Sequence, residues 1–266
     1  MEYDYIECGD CLELMKKIEC NSINIVLTSP PYNTSRHLSN SQRAIDNHEC
    51  RYDIYVEKTN NDYLDWTLKL FNEFDKVLKP NGCVLYNLSY GNENPDIMWR
   101  TISKVIENTN FTVADTIIWK KNIALPNNTS KNKLTRICEF VFVFCRKNEI
   151  KTFEANKEVK SISKTGQKYY ENVYNYIEAK NNDGSCSLNK ATFSSELVLK
   201  LLKMYSNNEN DIILDPFLGT GTTAVACVIA NRHYIGFELS PQQFEYACKR
   251  LDEAEDNLFN IMKESC

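Results

Sequence analysis

The stretch from residue 211 to residue 239 constrains the fold more than any other part of the chain. It predicts a strand in DIILDPF, a turn with two glycines, a helix of mostly small residues in TGTTAVACVIANR, and a second strand in HYIGFEL. Parallel strands need a crossover between them, and the crossover is usually a helix. This order of elements therefore favours an α/β fold.

The rest of the chain continues the alternation of strands and helices. Hydrophobic periodicity and turn residues predict strands at 3–8, 23–27, 83–89, 111–121 and 139–147, and helices at 9–18, 62–78, 99–110, 193–206 and 241–259. Residues 148–188 lack such a period. We therefore predict one central sheet with helices on both faces.

Composition excludes several classes of protein. The 266 residues contain no run of 18 apolar residues, and the acidic start MEYDYIECGD has no apolar signal region, so we expect a cytoplasmic protein without a membrane span. The eleven cysteines lie mostly in apolar segments, as reduced core thiols do. A single CxxC at Cys8–Cys11 and three histidines predict no metal site.

Charge is unevenly distributed along the chain. Residues 119–168 contain twelve Lys/Arg and four acidic residues, a net charge of +8, whereas the whole chain carries −5. A basic segment on an acidic protein suits a surface that faces a polyanion. A lysine-rich face in contact with solvent alone is the alternative.

The glycine turn predicts a nucleotide-type cofactor. Gly219 and Gly221 allow a ligand to approach the backbone, and Glu238, at the end of the next strand, can accept both ribose hydroxyls. The spacing from Gly219 to Ala224 also fits GxGxxG/A, so NAD competes on this turn alone. Asp215 favours a cofactor with a cationic sulfonium group, because a carboxylate repels a diphosphate.

A diproline corner, Ser29-Pro30-Pro31-Tyr32, follows the predicted strand at 23–27. Prolines restrict the backbone and have no N–H, so the carbonyls here are available to other donors. The Ser29 hydroxyl and the Pro30 carbonyl can each accept one N–H of an exocyclic amine, and Tyr32 offers a flat surface to a base. An ordinary proline-rich strand exit is the alternative.

These segments together resemble the amino-methylating DNA methyltransferases that use S-adenosylmethionine. TSPPY resembles their motif IV, DPFLGTGTTAVA motif I, GFELSPQQFEYA motif II and NKATFSSELVLKLLKMYS motif X, in the circularly permuted order of the β class. Asn189-Lys190-Ala191 departs from the family's His-Pro-Ala. The resemblance implies a Rossmann-like methyltransferase sheet, catalytic residues Ser29, Pro30, Pro31 and Tyr32, and a cofactor site formed by Asp10, Thr28, Thr192, Phe193, Asp215, Pro216, Phe217, Gly219, Gly221, Thr222, Glu238 and Leu239.

The same resemblance implies a division of the chain. Residues 1–147 and 189–266 form the catalytic domain, 33–61 a mobile loop over DNA, and 148–188 a target-recognition insertion. Arg36, Lys121, Lys131 and Lys133 are the expected DNA contacts.

The implied reaction is methyl transfer to the exocyclic amine of a base flipped out of double-stranded DNA. Serine at the first position of SPPY favours cytosine N4, with adenine N6 as the alternative and an inactive DNA-binding module as a remote one. A homodimer and an associated restriction endonuclease remain open as partners.

Overall fold

The computed structural model describes residues 2–34, 58–92, 94–124, 126–128, 131–184 and 192–264, with side chains up to residue 257. Its strands are β1 Tyr5–Cys8, β2 Ile23–Thr28, β3 Leu78–Leu88, β4 Phe111–Lys121, β5 Cys138–Arg146, β6 Val159–Ile162, β7 Lys168–Tyr170, β8 Tyr176–Ala179, β9 Ile212–Asp215 and β10 His233–Glu238. Its α-helices are α1 Cys11–Leu14, α2 Asn60–Val77, α3 Ile97–Asn108, α4 Ser195–Tyr205, α5 Thr222–Ile229 and α6 Pro241–Glu264, with 3-10 turns at Met15–Lys17 and Lys147–Glu149.

One eight-stranded sheet organises the chain, in the order β1-β10-β9-β2-β3-β5-β4-β8. The five strands from β1 to β3 are parallel, β5 runs against them, and β4 and β8 run with them. From β9 the chain continues through α5 to β10 on one side, whereas from β2 it continues through α2 to β3 on the other. The carboxyl ends of β9 and β2 therefore form the switch point at which α/β sheets bind ligands.

Helices cover both faces of the sheet, as the alternation predicts. Successive residues of one strand point to opposite faces, so Ile25 and Leu27 belong to the cluster with α4, α5 and α6, while Val26 belongs to the cluster with α1, α2 and α3. All three side chains are at most 2% exposed. The α/β class with helices on both faces is confirmed. The circular permutation stays a prediction.

The start of β3 differs from the prediction. The Lys79–Gly82 turn was expected to separate the helix from a strand at 83–89, yet β3 begins at Leu78. The pairing with β2 changes from Ile23–Leu78 to Ile25–Cys83, so the turn is an irregularity inside the strand pair. Asn81, with a φ of 58°, supplies the left-handed residue that this irregularity needs.

The segment 148–188 contains structure that its sequence does not predict. β6 and β7 form a separate antiparallel hairpin, whereas β8 pairs with β4 at the edge of the main sheet and buries Ile177 and Ala179. The predicted boundary at residue 188 therefore falls after a strand of the central sheet. In the described ranges, no helix is long and apolar enough to cross a membrane.

Candidate active site

The carboxyl edge of the sheet collects the two predicted loops. The diproline corner follows β2 and the glycine loop follows β9, and these strands are paired through Ile25–Ile213 and Val26–Leu214. At their ends the Thr28 hydroxyl donates to Asp215 Oδ1 over 2.7 Å. Segments that are 187 residues apart in the sequence are thus joined by one hydrogen bond.

Asp215 is the centre of that junction. Its Oδ1 also accepts the Phe217 amide, at 3.0 Å, and its Oδ2 accepts the Thr223 hydroxyl, at 2.5 Å. The side chain is 2% exposed, and burial raises the pKa of Asp215 to about 6 despite these hydrogen bonds, which lower it. Through these protein donors Asp215 holds the two loops together, and its predicted place beside a cationic ligand stays a prediction. Thr28, which is fully buried, has the same role.

The diproline corner is rigidly seated. Pro30 and Pro31 are buried, and the Tyr63 hydroxyl from α2 donates to the Pro31 carbonyl over 2.9 Å. Within the described part of the chain no donor contacts the Pro30 carbonyl, and its role as an acceptor for an amine stays a prediction. Ser29 is half-buried, and its hydroxyl lies 2.8 Å from the Tyr32 hydroxyl.

Tyr32 belongs to a polar network that the sequence does not reveal. Its hydroxyl contacts Asn87 on β3 and Glu139 on β5, and Glu139 also pairs with Lys121 on β4. These residues come from separate strands, so no local spacing marks them. The base-stacking role predicted for Tyr32 stays a prediction.

Glu238 closes the glycine loop. Its Oε2 accepts the Gly219 amide and its Oε1 accepts the Ser240 amide, each over 2.7 Å. The carboxylate is half-buried. Its predicted contact with the ribose of the cofactor stays a prediction.

Both the backbone conformation and the close packing at Gly221 favour a residue without a side chain. Its φ is 87°, and a Cβ there would lie 3.0 Å from the Ala247 Cβ and 3.2 Å from the Ala247 Cα of α6. The glycine therefore allows the loop to pack on α6, in addition to any approach by a ligand.

Substituting Gly221→Ala should lower the free energy of unfolding by about 2–3 kcal/mol, from left-handed strain and overpacking together. Gly166→Ala is the matched control, because Gly166 has a φ of 85° but an added Cβ there would meet nothing within 4 Å. It should cost only about 1 kcal/mol. Urea denaturation measures both, and equal losses would contradict the packing role of Gly221.

The other predicted cofactor residues line the ends of neighbouring strands. Asp10 follows β1, is exposed, and caps α1 by accepting the Leu12 amide over 2.8 Å. Leu239 follows β10 and is 47% exposed, an apolar surface beside Glu238. The Phe217 ring packs against Trp66 of α2, with 5.5 Å between the two ring centres. No sequence motif marks this aromatic neighbour. Pro216 is buried.

The motif X segment leads into α4, which packs against α5, the helix that follows the glycine loop. Phe193 is 7% exposed in the core, Ser194 caps α4, and Thr192 is half-buried beside them. Arg250 of α6 donates to the Thr220 carbonyl, at 2.8 Å, and to the Thr222 hydroxyl, at 3.1 Å. Thr222 is thus tied to α6, and its contact with a cofactor stays a prediction.

The four residues expected to contact DNA differ in where the structure places them. Arg36, like residues 35–57 of the predicted loop, lies outside the described residues. Lys131 is exposed, and Lys133 is exposed and donates to the Asn92 carbonyl over 3.3 Å. Lys121 differs from the expectation, because it is 23% exposed and paired with Glu139 inside the site.

Fold and site define the class of this protein: an α/β sheet with helices on both faces, in which a glycine loop and a diproline corner meet at one switch point. The family profile described as "DNA methylase", of the N6/N4 methyltransferases, matches residues 23–249. The chain belongs to this family, so it is a DNA amino-methyltransferase, as the resemblance implied.

Individual relatives agree with this assignment. Type II methyltransferase M.Cfr9I of Citrobacter freundii is 25% identical, over 95% of this chain and 89% of that protein. The DNA adenine methyltransferase YhdJ of Escherichia coli (strain K12) is 24% identical, over 92% of this chain and 82% of that protein.

Solved structures match across nearly the whole chain. The PvuII DNA methyltransferase (cytosine-N4-specific) has a TM-score of 0.69 at 19% identity, covering 98% of this chain and 94% of that chain. A putative DNA modification methylase from Thermus thermophilus, complexed with S-adenosyl-L-methionine, has a TM-score of 0.60 at 19% identity, covering 94% of this chain and 95% of that chain. At these identities the likeness concerns the fold.

Proposed function

We propose that the chain methylates the exocyclic N4 of cytosine in double-stranded DNA, with adenine N6 as the alternative target. The observation that carries the proposal is the Thr28–Asp215 hydrogen bond, which sets the Ser29-Pro30 acceptors beside the glycine loop. Serine in place of an acidic or amide residue at position 29 supports cytosine. A hydroxyl is a weak base, so the amine proton leaves after the new N–C bond has made it acidic.

S-adenosyl-L-methionine is the cofactor, and when bound it supplies an electrophilic methyl group. The residues present fit it: the half-buried Glu238 carboxylate can take the ribose hydroxyls, Leu239 offers an apolar wall, and Asp10 lies at the next strand end. The Ser29 hydroxyl and the Pro30 carbonyl accept the two N–H groups of the target amine. This holds the amine lone pair in line with the methyl group, and alignment is the main contribution of the protein.

The hairpin of β6 and β7 suits the DNA surface predicted for 148–188. Every residue of both strands is exposed, including Tyr169 and Tyr170, and the region carries several lysines. A two-stranded ribbon fits the major groove of B-DNA, and lysines contact phosphates. We propose that this hairpin contacts the duplex while the target base is flipped into the pocket. A homodimer and a restriction endonuclease partner stay predictions.

Incubation with double-stranded DNA and S-adenosylmethionine carrying a tritiated methyl group tests the proposal. After digestion to nucleosides, we expect the label in 4-methylcytosine. Label in 6-methyladenine would establish the alternative base. DNA binding without any methyl transfer, over duplexes of varied sequence, would contradict the enzyme and favour a binding module.

A further inference from the structure

Glu139 is a carboxylate beside the amine pocket that no sequence motif marks. It is the second residue of β5, and because β5 runs against β3 and β4, its first residues reach the edge where β2 and β3 end. There Oε2 of Glu139 accepts the Tyr32 hydroxyl, at 3.0 Å, and the Asn87 Nδ2, at 2.9 Å. The side chain is 13% exposed.

The contacts of Tyr32 fix the direction of the protons. A phenol has one proton, and a carboxylate can only accept, so Tyr32 donates to Glu139. The Tyr32 oxygen then accepts from Asn87 Nδ2, at 2.5 Å, and from Ser29 Oγ, at 2.8 Å. Ser29 is thereby the donor towards Tyr32. Its oxygen also lies 3.5 Å from Asn87 Nδ2, a long hydrogen bond that uses one lone pair, so the other is left to accept an N–H group from outside the network.

Asn87 supports this orientation. Its Oδ1 is buried and, among the described atoms, has no hydrogen-bond partner, while its Nδ2 serves both Tyr32 and Glu139. Reversing the amide would bring Oδ1 against the Glu139 carboxylate, which is unfavourable. A buried acceptor left unpaired costs stability, so its presence at a site calls for a functional reason.

Lys121 balances the charge of Glu139. Its Nζ pairs with Oε1, and the ammonium also lies 5.0 Å from the centre of the buried Trp119 ring. A carboxylate that is mostly buried needs such a counter-charge to remain ionised at low cost. An ionised Glu139 is what keeps the Tyr32 proton directed away from Ser29.

The geometry points to Glu139 as a positioning residue, which acts through Tyr32 to hold Ser29 Oγ as an acceptor for the exocyclic amine, with Lys121 as its counter-ion. This rests on the proposed function. A carboxylate on another strand thereby determines that Ser29 acts as an acceptor towards the amine.

Methyl transfer by Glu139→Gln, measured in the steady state and in single turnovers, tests the inference. An amide can donate to Tyr32 and reverse the network, so we expect kcat to fall about 10-fold. The dissociation constant for S-adenosylmethionine and the KM for DNA should stay within about twofold of the wild type. In a Tyr32→Phe background, Glu139→Gln should change kcat by less than about twofold, because no phenol remains to be oriented.

Glu73→Gln is the matched control. Glu73 is 14% exposed and pairs with Lys76 over 2.7 Å, on α2, so it repeats the burial and the ion pair of Glu139 away from the pocket. It should leave kcat unchanged.

The possible outcomes are distinct. Full kcat in Glu139→Gln, or an equal loss with and without the Tyr32 hydroxyl, would overturn the inference and leave the proposed function intact. No transfer by the wild-type chain would instead contradict the proposed function. If Glu139→Gln fails to fold, Lys121→Gln replaces it and is also combined with Tyr32→Phe. Lys121→Gln should then lower kcat in the presence of the Tyr32 hydroxyl and change it little in its absence.

Discussion

Replacing Ser29 with alanine is expected to lower kcat for methyl transfer by about 100- to 1,000-fold, the loss typical of one preorganised hydrogen-bonding group at a reacting centre. Ser29 follows β2 directly, and its hydroxyl is held by Tyr32 at 2.8 Å. Without it, the amine loses one of its two acceptors, and its lone pair is no longer held in line. The Pro30 carbonyl remains, so binding of DNA should change little.

Ser22→Ala is the control for this variant. Ser22 lies just before β2, at the opposite edge of the sheet, where its hydroxyl donates to the Glu19 carbonyl over 2.6 Å. It should retain full activity. Transfer of tritiated methyl groups in single turnovers, together with calorimetric binding of S-adenosylmethionine, separates chemistry from cofactor binding. An unchanged kcat in Ser29→Ala would show that the amine is held elsewhere.

The parts of the fold that sequence predicts are those with local signals. β4 matches its predicted range of 111–121, because alternating and β-branched residues mark it from end to end. The helix predicted at 193–206 corresponds to α4, and Ser194, a residue type that favours helix starts, accepts the Leu197 amide there. The small strand β8 was missed because its four residues are too few to show a period.

The candidate site likewise has residues that the sequence predicts and residues that it does not. Ser29 and Glu238 lie in short motifs whose residues are adjacent in sequence, so they could be proposed from the sequence. Asn87 and Glu139 contact Tyr32 across 55 and 107 residues, and only the antiparallel course of β5 brings Glu139 to this edge. Pairing of that kind depends on the sheet order, which no single segment encodes.

Asp215 shows a different limit of sequence reasoning. Its position at the end of a strand was predicted correctly, whereas its contacts with protein donors were not predicted. A carboxylate at the end of a strand can face a ligand or protein donors, and its contacts depend on which hydroxyls the neighbouring strand and the following helix offer. Here Thr28 and Thr223 supply them, and the carboxylate is buried.

Replacing Glu238 with alanine is expected to weaken binding of S-adenosylmethionine about 100-fold, because charge-assisted hydrogen bonds contribute about 1.5–3 kcal/mol each. The variant removes the acceptor for the ribose hydroxyls. It also leaves the amides of Gly219 and Ser240 without the partner that each has at 2.7 Å. Calorimetry gives the dissociation constant, and urea denaturation without cofactor gives the cost to the loop itself.

Glu238→Gln separates the two effects. The amide keeps one oxygen to accept a backbone N–H but loses the charge and the second acceptor, so we expect binding to weaken about 10-fold and stability to fall less than in Glu238→Ala. If glutamine binds the cofactor as tightly as the wild type, then Glu238 orders the loop without contacting the ribose. If alanine does so as well, the glycine loop binds S-adenosylmethionine through its backbone alone, and the placement of the ribose at the end of β10 is wrong.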